Sequence, residues 1–469
     1  GSHDPNIDKE VLALLETYAL DSAEIKELKR YLFNLVDSEG QEFSRNLKIY
    51  STTQDAMERF AATDHTSFRW NENYRKSLED LRKEFSQLRL KPLVFTSDDD
   101  VINALPKKDT HSGYYWIKTG KKKKGDNIEG ISQIIGKEFV DAVDRGSFDK
   151  PILIGFRTQA SGEFEDDGTM TQTCKHKLRV VSMVDMRVIL GELKFSKPIQ
   201  DYMGLQPYYA GGKNELQISS IITRWRTKFS RFLSIDYSSF DQTISSWLIE
   251  DAFSIIKSAF VMDDFHSSLF DVIVNDFIHK DFILSEGLLH SDKGVPSGSM
   301  FTQIIDSIVN LLVVRTFFNH LNAKAEMIAM GDDNLIFTDS DVSMEEMASY
   351  IMKNFGLIVK TDDKSNEGMT NKQDPKFLSR YWRFDGQWRH PRQLFSRLIF
   401  PERIRSYKQS EVGPEHVIFA FILTYRLGME KLIDVRRFMH DYPISKQFVL
   451  ENVDSRYLPG ALAYIREYT

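Results

Sequence analysis

The sequence predicts an α+β fold, with an antiparallel sheet flanked by helices. Three observations carry that expectation. Gly331-Asp332-Asp333-Asn334 lies between the apolar runs Met327–Met330 and Leu335–Phe337, which reads as strand, tight turn, strand. A second apolar-rich run, Phe232–Ile235, ends at Asp236 and reads as a further strand. Between them, Ile304, Ile305, Ile308, Leu311 and Leu312 recur at helical spacing and face a core.

Along the chain, residues 8–90 are charged and helical in pattern, with Leu12, Leu14, Leu15 and Tyr18 on one face. Asp98-Asp99-Asp100, Lys107-Lys108 and the run Lys121–Lys124 make 96–130 a looped stretch. The β-branched segments 151–156 and 178–190 read as strands, with a polar loop at 161–170 between them. Helices are expected at 242–261, 265–278, 302–320 and 343–355, and strands 231–236, 326–330 and 334–338 make the central sheet. Pro391, Pro401 and Pro414 punctuate the chain before helices at 415–428 and 430–440. No repeat or low-complexity tract is visible.

The 469 residues are 41% hydrophobic with 33 Phe and 18 Tyr, enough for a large core in more than one lobe. Net charge is −7, which excludes an indiscriminate nucleic-acid binder. Positive charge is local instead: Lys118, Lys121–Lys124, Lys175, Lys177, Arg179, Arg187, Lys194 and Lys197. The Lys121–Lys124 run fits a solvated loop as well as a nucleic-acid contact. Cys174 is the only cysteine, which rules out an intrachain disulfide and a zinc site built on several cysteines. The most apolar stretch, Ile308–Phe318, is broken by Asn310 and Arg315, so no membrane span and no membrane partner is expected. No signal peptide is visible, and Gly1-Ser2-His3 reads as a tag remnant.

The acids carry the chemistry. Gly and Asp are ordinary turn formers, so the Gly-Asp-Asp doublet alone also fits a plain turn. Asp236 and Asp241, five residues apart after a strand, change that balance. Asp236 also fits a helix cap. If its strand lies beside the 327–337 hairpin, however, Asp236 and Asp332 face each other and repel unless a cation neutralises them. Mg²⁺ suits such a site, because it takes a few carboxylates plus phosphate oxygens. Two such ions about 3.5–4 Å apart can activate a hydroxyl and stabilise a leaving oxygen. Between the acid sites runs a flexible loop, Gly294-Val295-Pro296-Ser297-Gly298-Ser299, then a helix on which Thr302, Asp306 and Asn310 recur every fourth residue. That polar stripe fits a solvated face or a wall that hydrogen-bonds a sugar.

In order and spacing, Asp236-x4-Asp241, then Pro296-Ser297-Gly298-x3-Thr302-x3-Asp306-x3-Asn310, then Gly331-Asp332-Asp333 resemble motifs A, B and C of viral RNA-dependent RNA polymerases. Phe355-Gly356-Leu357 with Asp363-Lys364-Ser365 resembles motif D, Phe377-Leu378-Ser379-Arg380 motif E, and Lys175-His176-Lys177-Leu178-Arg179 motif F. The resemblance spans about residues 170–385. The loop wording is most similar to picobirnavirus polymerases and next to those of partitiviruses, both small segmented double-stranded RNA viruses. It implies a right hand of fingers, palm and thumb. The N-terminal extension would span 1–60, fingers mostly 61–230, palm mostly 231–385 with a fingers insertion near 262–290, and thumb 386–469.

The resemblance further implies template-directed RNA synthesis, serving genome replication and transcription, from ribonucleoside triphosphates with release of pyrophosphate. Asp236 and Asp332 would ligate Mg²⁺, with Asp333 assisting and Mn²⁺ as an alternative ion. Asp241 would sense the ribose hydroxyls. Ser297, Gly298 and Thr302 would form the ribose loop, Lys177 and Arg179 would bind phosphates, and Lys364 would be the general acid, with Lys360 its rival. One departure stands out. Many positive-strand relatives have Asn where this chain has Asp306, and an ionised Asp cannot donate a hydrogen bond. The network is then either reorganised or completed by Asn310. Partners would be RNA template and product and a viral capsid protein, and the location the virion interior and host cytoplasm. Two other readings compete: a reverse transcriptase or other two-metal polymerase, and a non-catalytic RNA-binding or capsid-interior protein.

Overall fold

The computed structural model describes residues 7–35, 43, 57, 60, 68–106, 112–113, 123–362, 366–403, 405–408, 411–454 and 457–468. In chain order its strands are β1 (Ile152–Ser161), β2 (Lys175–Met183), β3 (Arg231–Leu233), β4 (Asp236–Ser238), β5 (Lys280–Leu284), β6 (Gly287–Ser291), β7 (Ala325–Met330), β8 (Asp333–Thr338), β9 (Ile358–Lys360), β10 (Glu367–Met369), β11 (Lys376–Phe377), β12 (Arg380–Arg383) and β13 (Gly386–Trp388).

The sheet at the centre has the order β10-β3-β8-β7, with all three pairings antiparallel. Helix Thr302–Leu321 packs beside it and is buried along most of its length. By length and apolar composition that helix could cross a membrane, which the broken pattern of its sequence did not lead one to expect. Its most apolar window is 78% buried inside the protein, the condition of a core helix. A second sheet, β2-β1-β5-β6, joins a long antiparallel hairpin to a later one through the parallel pair β1–β5. Residues 280–291 therefore extend the sheet that carries β2.

The two ends of the chain share one core. Helices Lys9–Tyr18 and Ser22–Asn34 are capped by Asp8 and Asp21, whose carboxylates satisfy free backbone N–H groups. Their apolar faces, with Val11, Leu15 and Leu28, pack with Phe395, Ile418 and Phe438 from beyond residue 390. The loop between β1 and β2 is tied to both ends. The Tyr31 hydroxyl donates to the Thr171 carbonyl at 2.5 Å, and Arg392 reaches Glu24 at 2.7 Å and the Gly168 carbonyl at 2.9 Å.

Several expected elements divide differently. The strand expected at 178–190 stops at Met183, because Asp185 caps a helix, Met186–Met203, by accepting from the Arg187 N–H. Asp98-Asp99-Asp100 is the first turn of helix Asp98–Ala104, closed by a Ser97/Asp100 capping box, not part of a loop; acids are stabilised at that end of a helix. The run 231–236 splits into β3 and β4, which belong to different sheets. The helix expected at 242–261 becomes Phe240–Thr243 and Ser246–Ser258. Beyond 413 the helices are Pro414–Thr424, Arg426–Leu432, Val435–Asp441, Lys446–Asn452 and Leu458–Tyr468.

Candidate active site

The acids converge on a cleft of about 870 Å³ lined by Lys177, Arg179, Asp241, Ser297, Thr302, Asp306, Asp332, Asp333 and Lys360, among others. At its floor is the β7–β8 hairpin. Met330 pairs with Asp333, leaving Gly331 and Asp332 as a two-residue turn. Gly331 has φ of +61°, a conformation that glycine adopts without steric cost.

The hairpin tip is held from behind. Gly331 N–H donates to Ser307 Oγ at 2.8 Å, and Asn310 Nδ2 donates to the carbonyls of Gly331 and Asp333, both at 3.1 Å. Asn334 reaches sideways: its Oδ1 accepts the Ile235 N–H at 2.9 Å and its Nδ2 donates to the Ile235 carbonyl at 3.1 Å. Asn310 Oδ1 accepts from Asn334 Nδ2 at 3.3 Å and from the Tyr237 hydroxyl at 3.2 Å. One buried amide network therefore fixes the residue before Asp236 relative to the turn that carries Asp332. Asn310 is fully buried and spent in this network, so the structure places it behind the cleft rather than on its wall.

Asp236 opens β4, opposite Lys360 of β9, whose Nζ lies 3.6 Å from its Oδ2. Asp332 titrates above the ordinary carboxylate range. Burial of its carboxyl comes first, although the residue's surface as a whole is exposed, and the charges of Asp241 and Asp236 add to it. Asp333 is pushed up to about 6 by burial and by Asp332 and Asp236, against a hydrogen bond from Leu378 N–H. Lys177 acts in the opposite direction on Asp332, and Arg179 does so on Asp241. Two residues apart on β2, these cations share a face, and that face lines the cleft.

Asp241 and Asp306 are hydrogen-bonded carboxyls, both raised, Asp306 the more strongly because it is buried against Asp241 and Asp332. Like charges this close cannot both ionise. Asp306, 5% exposed, is the more strongly raised of the two, so burial and the neighbouring charges favour a proton on it. Its Oδ1 is buried without a hydrogen-bond partner.

The loop before Asp306 is pinned to β2. Ser297 Oγ accepts the Ser182 N–H at 2.9 Å, and Thr302 Oγ1 donates to the Pro296 carbonyl at 2.6 Å. A Cβ on Gly298 would sit 1.9 Å from the Ser182 carbonyl oxygen, so this close approach admits only glycine. Lys364 lies outside the described residues, as do Lys118, Lys121 and Lys122. Lys124 is buried.

Sequence reasoning missed Asn334, Tyr237 and Lys213. Asn334 did carry a signal, as an amide inside an apolar strand. Lys213 did not; it lines the cleft, donates to the carbonyls of Gly204 at 2.8 Å and Tyr209 at 2.6 Å, and is pushed down to about 8 by burial.

An acidic hairpin in an antiparallel sheet, sharing its cleft with a basic strand, is the architecture of the right-hand polymerases. The chain belongs to the viral RNA-dependent RNA polymerase family, which it matches over residues 27–417. It is 26% identical over 174 residues to the RNA-directed RNA polymerase of Cryptosporidium parvum virus 1 (strain KSU-1), covering 35% of this chain and 32% of that protein. It is 24% identical over 380 residues to the genome polyprotein of human rhinovirus 16, covering 77% of this chain and 16% of the polyprotein. The matched part thus spans a third or less of these relatives. A crystal structure of the RNA-dependent RNA polymerase of a human picobirnavirus shares the fold, with a TM-score of 0.62 at 16% identity, covering 97% of this chain and 89% of that one.

Proposed function

We propose that this chain synthesises RNA on an RNA template, joining ribonucleoside triphosphates and releasing pyrophosphate, for viral genome replication and transcription. One observation carries the reading: Asp332 and Asp333, both raised by burial and by the nearby charge of Asp236, line a cleft where Lys177 acts on Asp332 and Arg179 on Asp241. Acids for a cation and bases for phosphates meet in one space.

Among the described residues, no three His, Cys, Asp or Glu side chains already form a metal-holding group. The donor set nevertheless fits Mg²⁺, which keeps several waters and is completed by substrate phosphates rather than by a protein cage. Asp236 and Asp332 would hold it, with Asp333 alongside and Mn²⁺ as an alternative. Bound there, the ions would supply charge neutralisation at the attacking and leaving oxygens. Lys177 and Arg179 bind the triphosphate, Arg179 in the bidentate manner suited to a guanidinium. Asp241, Ser297 and Thr302 orient the ribose, and the unpartnered Oδ1 of Asp306 accepts a sugar hydroxyl. Lys364 would protonate the pyrophosphate, with Lys360 the rival at 3.6 Å from Asp236. A capsid protein is the proposed macromolecular partner, and the virion interior and host cytoplasm the proposed setting.

The test is incorporation of labelled ribonucleotide on single-stranded RNA, with and without Mg²⁺, wild type beside Asp332→Ala. Metal-dependent product that vanishes in the variant is expected. Product undiminished in the variant would overturn the assignment.

A further inference from the structure

Glu192 lies on helix Met186–Met203, is 2% exposed, and belongs to none of the roles above. A buried carboxyl is costly unless its oxygens find partners, and both do. Oε2 accepts the Ser299 hydroxyl at 2.5 Å and Oε1 accepts the Met300 N–H at 3.2 Å. Ser299 Oγ in turn accepts the Phe301 N–H at 3.1 Å.

Phe301 is the N-cap of helix Thr302–Leu321, and its own side chain provides no cap. Glu192 therefore holds, from another element, the turn that leads into that helix, by way of Ser299 and Met300. The helix carries Thr302 and Asp306 into the cleft. Three residues earlier, Ser297 and Gly298 are pinned to Ser182 at the end of the strand bearing Lys177 and Arg179. The loop is thus bolted twice to the fingers side, once at Ser182 and once at Glu192.

We propose that Glu192 is a positioning residue for nucleotide selection, holding the Ser297–Phe301 loop in the register that sets Thr302 and Asp306 against the ribose. This rests on the polymerase reading. Burial and the charge of Asp276 raise the carboxyl to about 7, against the hydrogen bonds from Ser299 and Met300. The clamp thus carries a pH signature that an ordinary packing residue lacks.

The experiment compares wild type, Glu192→Gln, Glu192→Ala and Ser299→Ala. It reads the ratio of kcat/KM for a ribonucleotide to that for its deoxyribonucleotide, and hydrogen–deuterium exchange of the 297–302 amides. Gln keeps an acceptor for Met300 and gains a donor for Ser299 Oγ, so its ratio stays near wild type and its pH profile between 5 and 8 flattens. Ala removes both bonds; the ratio falls about tenfold, the size of one lost buried hydrogen bond, chiefly through ribonucleotide KM, and the amides exchange faster. Ser299→Ala, the milder change should Glu192→Ala not fold, moves both readouts the same way. An unchanged ratio in folded Glu192→Ala or Ser299→Ala overturns the proposal, as does Gln behaving like Ala. A wild type that incorporates neither nucleotide overturns the polymerase reading instead. Loop exchange unchanged in the Ala variants overturns the clamp whatever the activity.

Discussion

Asp333 Oδ2 accepts the backbone N–H of Leu378 at 2.9 Å, tying the acidic hairpin to a turn in which Leu378 and Ser379 both have positive φ, 57° and 62°. Residues other than glycine hold that conformation at a cost of about 1 kcal/mol each, and need surroundings that enforce it. Asp333 is one such support, and Arg380 Nε, donating to the Leu378 carbonyl at 3.2 Å, is another. The second acid of the doublet therefore positions a turn on the cleft wall.

Asp333→Asn keeps an acceptor for Leu378 and should retain measurable incorporation. Asp333→Ala frees the turn and should lose substantially more, about tenfold beyond Asn, the worth of a buried charge-assisted bond. Primer-extension kcat and KM for the two variants side by side check this. Equal losses would separate Asp333 from the turn.

Asp306→Asn should be well tolerated, since Asp306 is the more strongly raised member of its pair with Asp241 and an amide can donate where a protonated carboxyl would. Asp306→Leu leaves Asp241 without that donor and should cost about 2–3 kcal/mol of ribonucleotide discrimination or activity. Steady-state ribonucleotide incorporation by both variants reads the difference.

Asn334→Leu removes four amide hydrogen bonds, two of them to Ile235. It leaves buried groups unpaired and should lower stability by about 2–4 kcal/mol in urea unfolding. Because Ile235 precedes Asp236, a rise in the Mg²⁺ concentration needed for half-maximal incorporation is expected as well. A variant as stable as wild type would remove Asn334 from the network.

Glu192 sets a pH dependence of stability. Its carboxyl titrates at about 7 in the folded chain against 4.5 as its model-peptide value, so the folded state binds the extra proton between those limits. Stability should therefore fall as pH rises from 4.5 through 7, and the difference in Tm between wild type and Glu192→Gln should change over that window. A constant difference would mean that the carboxyl titrates normally.

The α+β class, the β7–β8 turn, the helix beyond Thr302 and the identity of the cleft acids were legible from residue order alone. These are local matters: apolar period, a glycine where φ is positive, acids at fixed spacing. The split of 231–236 was not legible, because partners from 358–369 decide which sheet each half joins. Nor was the helix after Asp185, since β-branched Val184, Val188 and Ile189 suit either state until a cap chooses.

The sequence by itself determined which groups bear charge and in what order they come. Tertiary structure alone decided their states and partners. It buried Asp306 against Asp241 so that one of them keeps its proton, and it joined Asn310, a candidate ligand reader, to Asn334 as a brace between two acid-bearing segments. It also brought Glu192 to a helix start more than 100 residues away. Protonation and hydrogen-bond pairing depend on desolvation and on distances between segments remote in the chain, and neither is written in local spacing.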